Sequence, residues 1–103
     1  MTVSSQTINI SRRLDAAGVA EFKDKSLLAL DGSTKLILNF SNTVFIDSAG
    51  LGALVSLLKV ASQSNKKIIL VSLTPQVQQI FELTKLYRIF EICDSIKQAE
   101  ETR

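Results

Sequence analysis

Histidine and tryptophan are absent from the 103 residues, and cysteine, proline, methionine and tyrosine occur once each. Without histidine, the usual base that takes the proton from a nucleophilic serine is missing. The GxSxG pattern of serine hydrolases fails as well, because Ile46 stands two places before Ser48. One thiol and scattered carboxylates do not make a metal centre. None of the carboxylates has the alternating spacing of a calcium loop, and the pair Glu100 and Glu101 reads as a solvated helix end. Gly50 and Gly52 could begin a dinucleotide fingerprint, but Val55 stands where its third glycine would fall, and no Gly-Lys-Ser/Thr phosphate loop occurs. The residues therefore argue against an enzyme, and no metal or cofactor is expected.

A single cysteine cannot close an internal disulfide, so Cys93 is expected to be a small buried side chain without a redox role. No apolar run approaches the ~20 residues that span a bilayer. The amino terminus, MTVSSQTINIS, has neither a basic segment nor a continuous apolar one of the kind found in secretory leaders, which points to the cytoplasm without direct membrane insertion. Twelve basic against ten acidic side chains leave a formal charge of +2, too small and too dispersed for a nucleic-acid footprint. Lys66 and Lys67 are the densest basic pair and are expected to be solvated lysines at a sheet entrance rather than phosphate contacts.

What the chain does contain, 46% hydrophobic residues over a domain-sized length, suffices for one core and a single domain over 1–103. Ile8 and Ile10 alternate with polar neighbours and predict a short strand at 7–10. Asp15 is placed as the cap of a following helix, with Phe22 and Leu30 on its buried side and a left-handed Gly32 at its end. The Leu- and Ile-rich run KLILNF at 35–40 predicts a strand covered on both faces. Leu51, Leu54, Val55, Leu58 and Ala61 follow helical spacing, and KIILVS at 67–72 predicts the next strand. Thr74 and Pro75 open another helix whose inner face carries Val77, Ile80, Phe81 and Thr84. A last strand is expected at 88–92, and Asp94 is placed as the cap of a terminal helix docked by Ile96 and Ala99. Strands alternating with helices through short connections give an α/β fold with mostly parallel strands.

The stretch FIDSAGLG is the unusual one, because it sets a carboxylate, a hydroxyl and two glycines where a strand meets a helix. Ser48 is read there as the helix cap, whose loss would cost about 1 kcal/mol; any anion at that point also meets unpaired backbone amides. Each glycine in a helix costs roughly 0.5 to 1 kcal/mol against alanine. Gly50 and Gly52 either bare the backbone around Ser48 for close approach by another protein, or let the helix pack tightly; the residues alone leave both open. A second stripe on this helix, Ala53, Leu57 and Val60, is expected to be covered by the first helix, with an exposed docking surface as the alternative.

SNTVFIDSAGLGALVSLLK followed by KKIILVSLTPQVQQIFELTKLYRIFEI resembles the STAS domain, and within it the anti-sigma factor antagonists. The likeness runs from about Ile8 to the carboxyl end. It implies a bacterial signalling protein that regulates transcription by switching partners. The unmodified form would capture an anti-sigma factor that is also a serine protein kinase and so release a sigma factor. Phosphorylation would end that capture, and a metal-dependent serine protein phosphatase would restore it. Carried onto this chain, the resemblance makes Ser48 the phosphoacceptor. Asp47, Ala49, Gly50, Leu51 and Gly52 become the partner-binding surface, bordered by Asn42 and Thr43, and Asp15 matches a recurrent family position near the serine. An alternative within the family is a non-phosphorylated STAS subunit docking on a lipid-transporting ATPase. The chain also departs from the family pattern. Only fourteen residues precede Asp15, which implies a shortened amino-terminal strand region; Arg12 and Lys85 replace usual glycines, and Asn39 a common aspartate. A left-handed Lys85 would store roughly a kcal/mol.

Overall fold

The structure is a computed structural model and describes residues 4–102. Its elements run β1 (Ser5–Asn9), β2 (Arg13–Leu14), α1 (Val19–Asp31), β3 (Lys35–Asn39), β4 (Phe45–Ile46) and α2 (Ser48–Gln63). They continue with β5 (Lys67–Val71), α3 (Pro75–Thr84), a 3-10 turn (Leu86–Arg88), β6 (Glu91–Cys93) and α4 (Ile96–Glu101). Four strands form one sheet in the order β1-β3-β5-β6, every neighbouring pair parallel, and β2 and β4 make a separate parallel ladder of two residues each. β1 is five residues long and pairs with β3 over its whole length, so the shortened first strand expected of the amino-terminal region is not what forms.

Side chains alternate across a strand, and this divides the core in two. Leu36, Leu38, Ile68 and Leu70 pack with Phe22 and Leu30 of α1, Leu54 of α2 and Phe81 of α3. Ile37, Ile69 and Val71 point the other way, toward Ala99 and Ile96 of α4. The central strands β3 and β5 are thus covered on both faces, as their unbroken apolar runs predict. Phe81 also meets Phe90 edge to face at 5.7 Å.

Several helix ends differ from expectation. Gly18, not Asp15, is the residue before α1, and the Asp15 carbonyl instead accepts from the Gly18 amide at 2.9 Å, which inserts a turn first. Gly32 has φ −88° and is not left-handed. The carbonyls at this end find other donors: the Ser33 hydroxyl on Ala29 at 2.8 Å, and the Lys66 ammonium on Leu30 at 2.6 Å. Lys66 is therefore a half-buried helix cap from a neighbouring segment, while the half-buried Lys67 pairs with Glu91 at 3.4 Å. Ser95, not Asp94, caps α4, accepting from the Gln98 amide at 3.1 Å. Thr74 does cap α3 ahead of Pro75.

Lys85 is left-handed, with φ 60°, and ends α3. The 3-10 turn that follows takes Arg88 from the expected last strand, and β6 begins only at Glu91. Cys93 on β6 is half-buried rather than enclosed.

Lys35 received no special reading from the sequence, yet it is among the most deeply buried residues. Its ammonium donates to the carbonyls of Ala99 at 2.9 Å and Glu100 at 3.2 Å, and to that of Thr102. A cation at the carbonyl end of a helix satisfies groups that have no partner within the helix and is favoured by the helix dipole. Six-residue α4 is too short to be stable in isolation, so this contact and the Ala99 packing hold it on β3.

Candidate functional site

The β2–β4 ladder positions the start of α2. Leu14 pairs with Ile46, and the Asp47 amide donates to the Leu14 carbonyl at 3.3 Å. Asp47 then leaves the strand in extended conformation and caps α2, its Oδ1 accepting from the Gly50 amide at 2.9 Å. Its other carboxylate oxygen accepts from the Ala16 amide at 3.1 Å. One side chain thus fastens the turn before α1 to the first turn of α2.

Ser48 is consequently not the cap. It is the first residue of α2, it is exposed, and its hydroxyl has no hydrogen-bond partner among the described residues. A phosphate on Ser48 would meet the Gly50 amide already taken by Asp47. Its added charge of about −1.5 to −2 would be displayed on the surface, next to Asp47.

The two glycines have different reasons. A Cβ on Gly50 would lie 2.3 Å from the Leu14 carbonyl oxygen and 2.8 Å from Ile46 Cγ2, so this residue is buried packing. A Cβ on Gly52 would meet nothing within 4 Å, and this residue is exposed. Gly52 is the one that leaves the surface bare, one helical turn from Ser48. The stripe beyond divides likewise: Ala53 and Leu57 are buried, whereas Val60 lies open with Leu27 and Leu28 along a groove of 680 Å³ between α1 and α2.

Of the remaining predicted residues, Ala49 is half-buried and Leu51 leans into the core. Asp15 is brought close by the Ala16–Asp47 bond, where it pairs with Arg13 at 3.2 Å. Asn42 is exposed on the loop between β3 and β4, with no polar contact to this group among the described residues. Thr43 corrects the expectation of a direct contact, because its side chain is completely buried. Its hydroxyl donates to the Ser11 carbonyl at 2.8 Å, and its carbonyl accepts from the Thr74 hydroxyl at 2.6 Å, so it clamps three segments together beneath the surface.

Sequence reasoning missed Arg13 and Phe45, which face each other across the small ladder with the guanidinium 4.3 Å from the ring centroid. Two-residue strands show no alternation, so no periodic signal could have revealed the pair. Asn39 bonds Asn9 at 2.9 Å and the Ser41 amide at 3.1 Å, a neutral amide pair joining the ends of β1 and β3. Among the described residues no cluster could hold a metal ion, and no helix is long and apolar enough to cross a membrane.

The Asp47 carboxyl is held below the ordinary aspartate range, chiefly by the Gly50 amide, with partial burial opposing and the Ala16 and Ala49 amides helping. A depressed folded-state pKa means that the contribution is full above the unfolded value near 3.9 and is lost as pH falls through the folded value. Urea unfolding between about pH 5 and pH 2 should therefore show wild-type protein losing stability more steeply below about pH 4 than Asp47→Asn. Parallel curves would mean that the ionised cap contributes nothing.

The fold agrees with the comparisons to known proteins. A family model of the STAS domain matches residues 2–99, and the chain belongs to that family. Among its relatives, the anti-sigma-B factor antagonist of Staphylococcus aureus is 26% identical over 86 residues, 82% of this chain and 80% of that protein. The crystal structure of a provisionally named anti-sigma factor antagonist from Thermotoga maritima superposes with a TM-score of 0.81 at 31% identity, covering 92% of this chain and 85% of that one. A sulfate transporter family protein from Wolinella succinogenes shares the fold alone, with a TM-score of 0.81 at 13% identity over 96% of this chain and 85% of that one.

Proposed function

We propose that this STAS domain is an anti-sigma factor antagonist whose affinity for its partner is set by phosphorylation of Ser48. The supporting observation is the free, exposed Ser48 hydroxyl at the first residue of α2, beside a cap already made by Asp47. In this reading the unmodified protein binds an anti-sigma factor that is also a serine kinase, in the cytoplasm, and thereby releases a sigma factor. The kinase moves the γ-phosphoryl group of ATP to the Ser48 oxygen, ADP leaves, and the new charge ends the complex. A metal-dependent phosphatase hydrolyses the ester and resets the switch.

Asp15, Asp47, Ala49, Leu51, Gly52 and Asn42 form or flank the partner surface, while Gly50 and Thr43 support it from below. The protein's own chemistry is binding; the catalytic groups belong to its partners. Incubation with ATP and the anti-sigma factor kinase of the same organism, followed by mass-spectrometric mapping, should place a single phosphate on Ser48. A phosphate elsewhere, or none, would remove the switch.

A further inference from the structure

The sheet has two open edges, and they differ in chemistry. β1 presents Ser5, Gln6, Thr7 and Asn9, all exposed and polar. β6 is the opposite edge; its one charge, Glu91, is drawn to Lys67 of the neighbouring β5, and it carries no lysine or proline of the kind that blunts exposed strands. The Cys93 carbonyl accepts from the Ser72 amide, so Cys93 and Glu91 direct their backbone groups to β5. By strand alternation, the N–H and C=O of Ile92 point off the edge. Register with Leu70 puts the Ile92 side chain on the α3 face, at a cavity of 560 Å³ that Leu73, Phe81 and Tyr87 also line. Tyr87, Ile89 and Ile92 are all exposed along this edge.

We propose that the β6 edge is an interface with a second copy of this chain, the two β6 strands pairing antiparallel about a two-fold axis through Ile92. One outward N–H and one outward C=O at the middle of a three-residue strand are what such pairing consumes, since each Ile92 donates to and accepts from its symmetry mate. Both Ile92 side chains then lie on the same face, each at the mouth of the other's cavity.

Charge selects the direction. Arg88 precedes β6 and Asp94 follows it, both exposed and neither in an ion pair among the described residues. With Ile92 on the axis, Asp94 comes opposite the partner's Phe90, one diagonal step from Arg88, whereas in-register parallel pairing would set like charges side by side. The polar β1 edge gives Ile92 no apolar counterpart, which favours a closed pair over a head-to-tail filament. A stable dimer buries about 800 Å² per partner. A three-residue strand and a few apolar side chains supply less, so the pair is weak, with a dissociation constant on the order of 100 µM.

Sedimentation velocity of the full chain from about 5 µM to about 1 mM, a span chosen to bracket such a constant, should show the mass rising from 11.3 kDa toward twice that value. Ile92→Lys should stay monomeric throughout, and Leu28→Lys, on the exposed face of α1, should dimerise like wild type. Amide exchange on the unaltered protein guards against misfolding of the first variant: Ile92 exchange should slow several-fold as concentration rises through that range. A wild-type protein monomeric over the whole span, Ile92 exchange independent of concentration, or dimerisation lost in Leu28→Lys but kept in Ile92→Lys would each overturn the proposal.

Discussion

Gly50→Ala will destabilise the domain by about 3 kcal/mol or more, while Gly52→Ala, two residues along the same helix, will stabilise it by about 0.5–1 kcal/mol. The opposite signs follow from what each added methyl group meets. At position 50 it would stand 2.3 Å from the Leu14 backbone oxygen, and that oxygen is held by the Asp47 amide and the β2–β4 ladder. Relief requires α2 to move off the ladder, which would also break the Asp47 bonds to Gly50 and Ala16. At position 52 the methyl group enters open space, and only the gain in helix propensity is felt. Urea titrations of both variants at neutral pH check this; equal destabilisation by the two would contradict the packing geometry.

The second large effect concerns binding. Ser48→Asp should weaken the complex with the anti-sigma factor kinase at least ~10-fold, about 1.4 kcal/mol, and Ser48→Ala should bind within about threefold of wild type, less than 1 kcal/mol. An aspartate carries one negative charge where the phosphoester carries about −1.5 to −2, so the carboxylate is the milder mimic. Because Asp47 makes the cap and the Ser48 hydroxyl has no partner among the described residues, Ser48→Ala should leave stability nearly unchanged. The loss of about 1 kcal/mol that a capping serine would imply is not expected. Unaltered stability in both variants lets their affinities be read directly as surface effects. Isothermal calorimetry showing equal affinities for Ser48→Asp and wild type would remove the charge argument.

How far the sequence disclosed this arrangement depended on whether a residue's role was local. The doubly covered strands could be read from KLILN and KIILV, because burial on both faces requires apolar residues at every position. Phe22 and Leu30 showed the inner side of α1, and Thr74 with Pro75 the start of α3, since spacing and capping act within a few residues. The left-handed Lys85 could also be anticipated. Roles created by distant segments were hidden. Lys35 looks like an ordinary strand residue until the carbonyls of α4 arrive more than sixty residues later. Gly32 seemed to need a left-handed turn until Lys66 supplied the missing donor.

At the site, FIDSAGLG disclosed a strand meeting a helix but not the division of labour within it. Asp47 looked like the neighbour of a capping serine and is itself the cap through its bond from Gly50, while its second oxygen takes the Ala16 amide, a tie that no local pattern records. Thr43 looked like a border of the surface and is a buried clamp, its partners Ser11 and Thr74 lying about thirty residues to either side. The glycine pair, undecided from the chain alone, resolves into one residue that packs and one that bares the surface.

Calorimetric titration of the anti-sigma factor kinase with unmodified protein and with protein carrying a single phosphate on Ser48 tests the central claim most directly. The account predicts a measurable complex for the former and a loss of ~100-fold or more for the latter, with both forms equally folded. Indistinguishable affinities would contradict it.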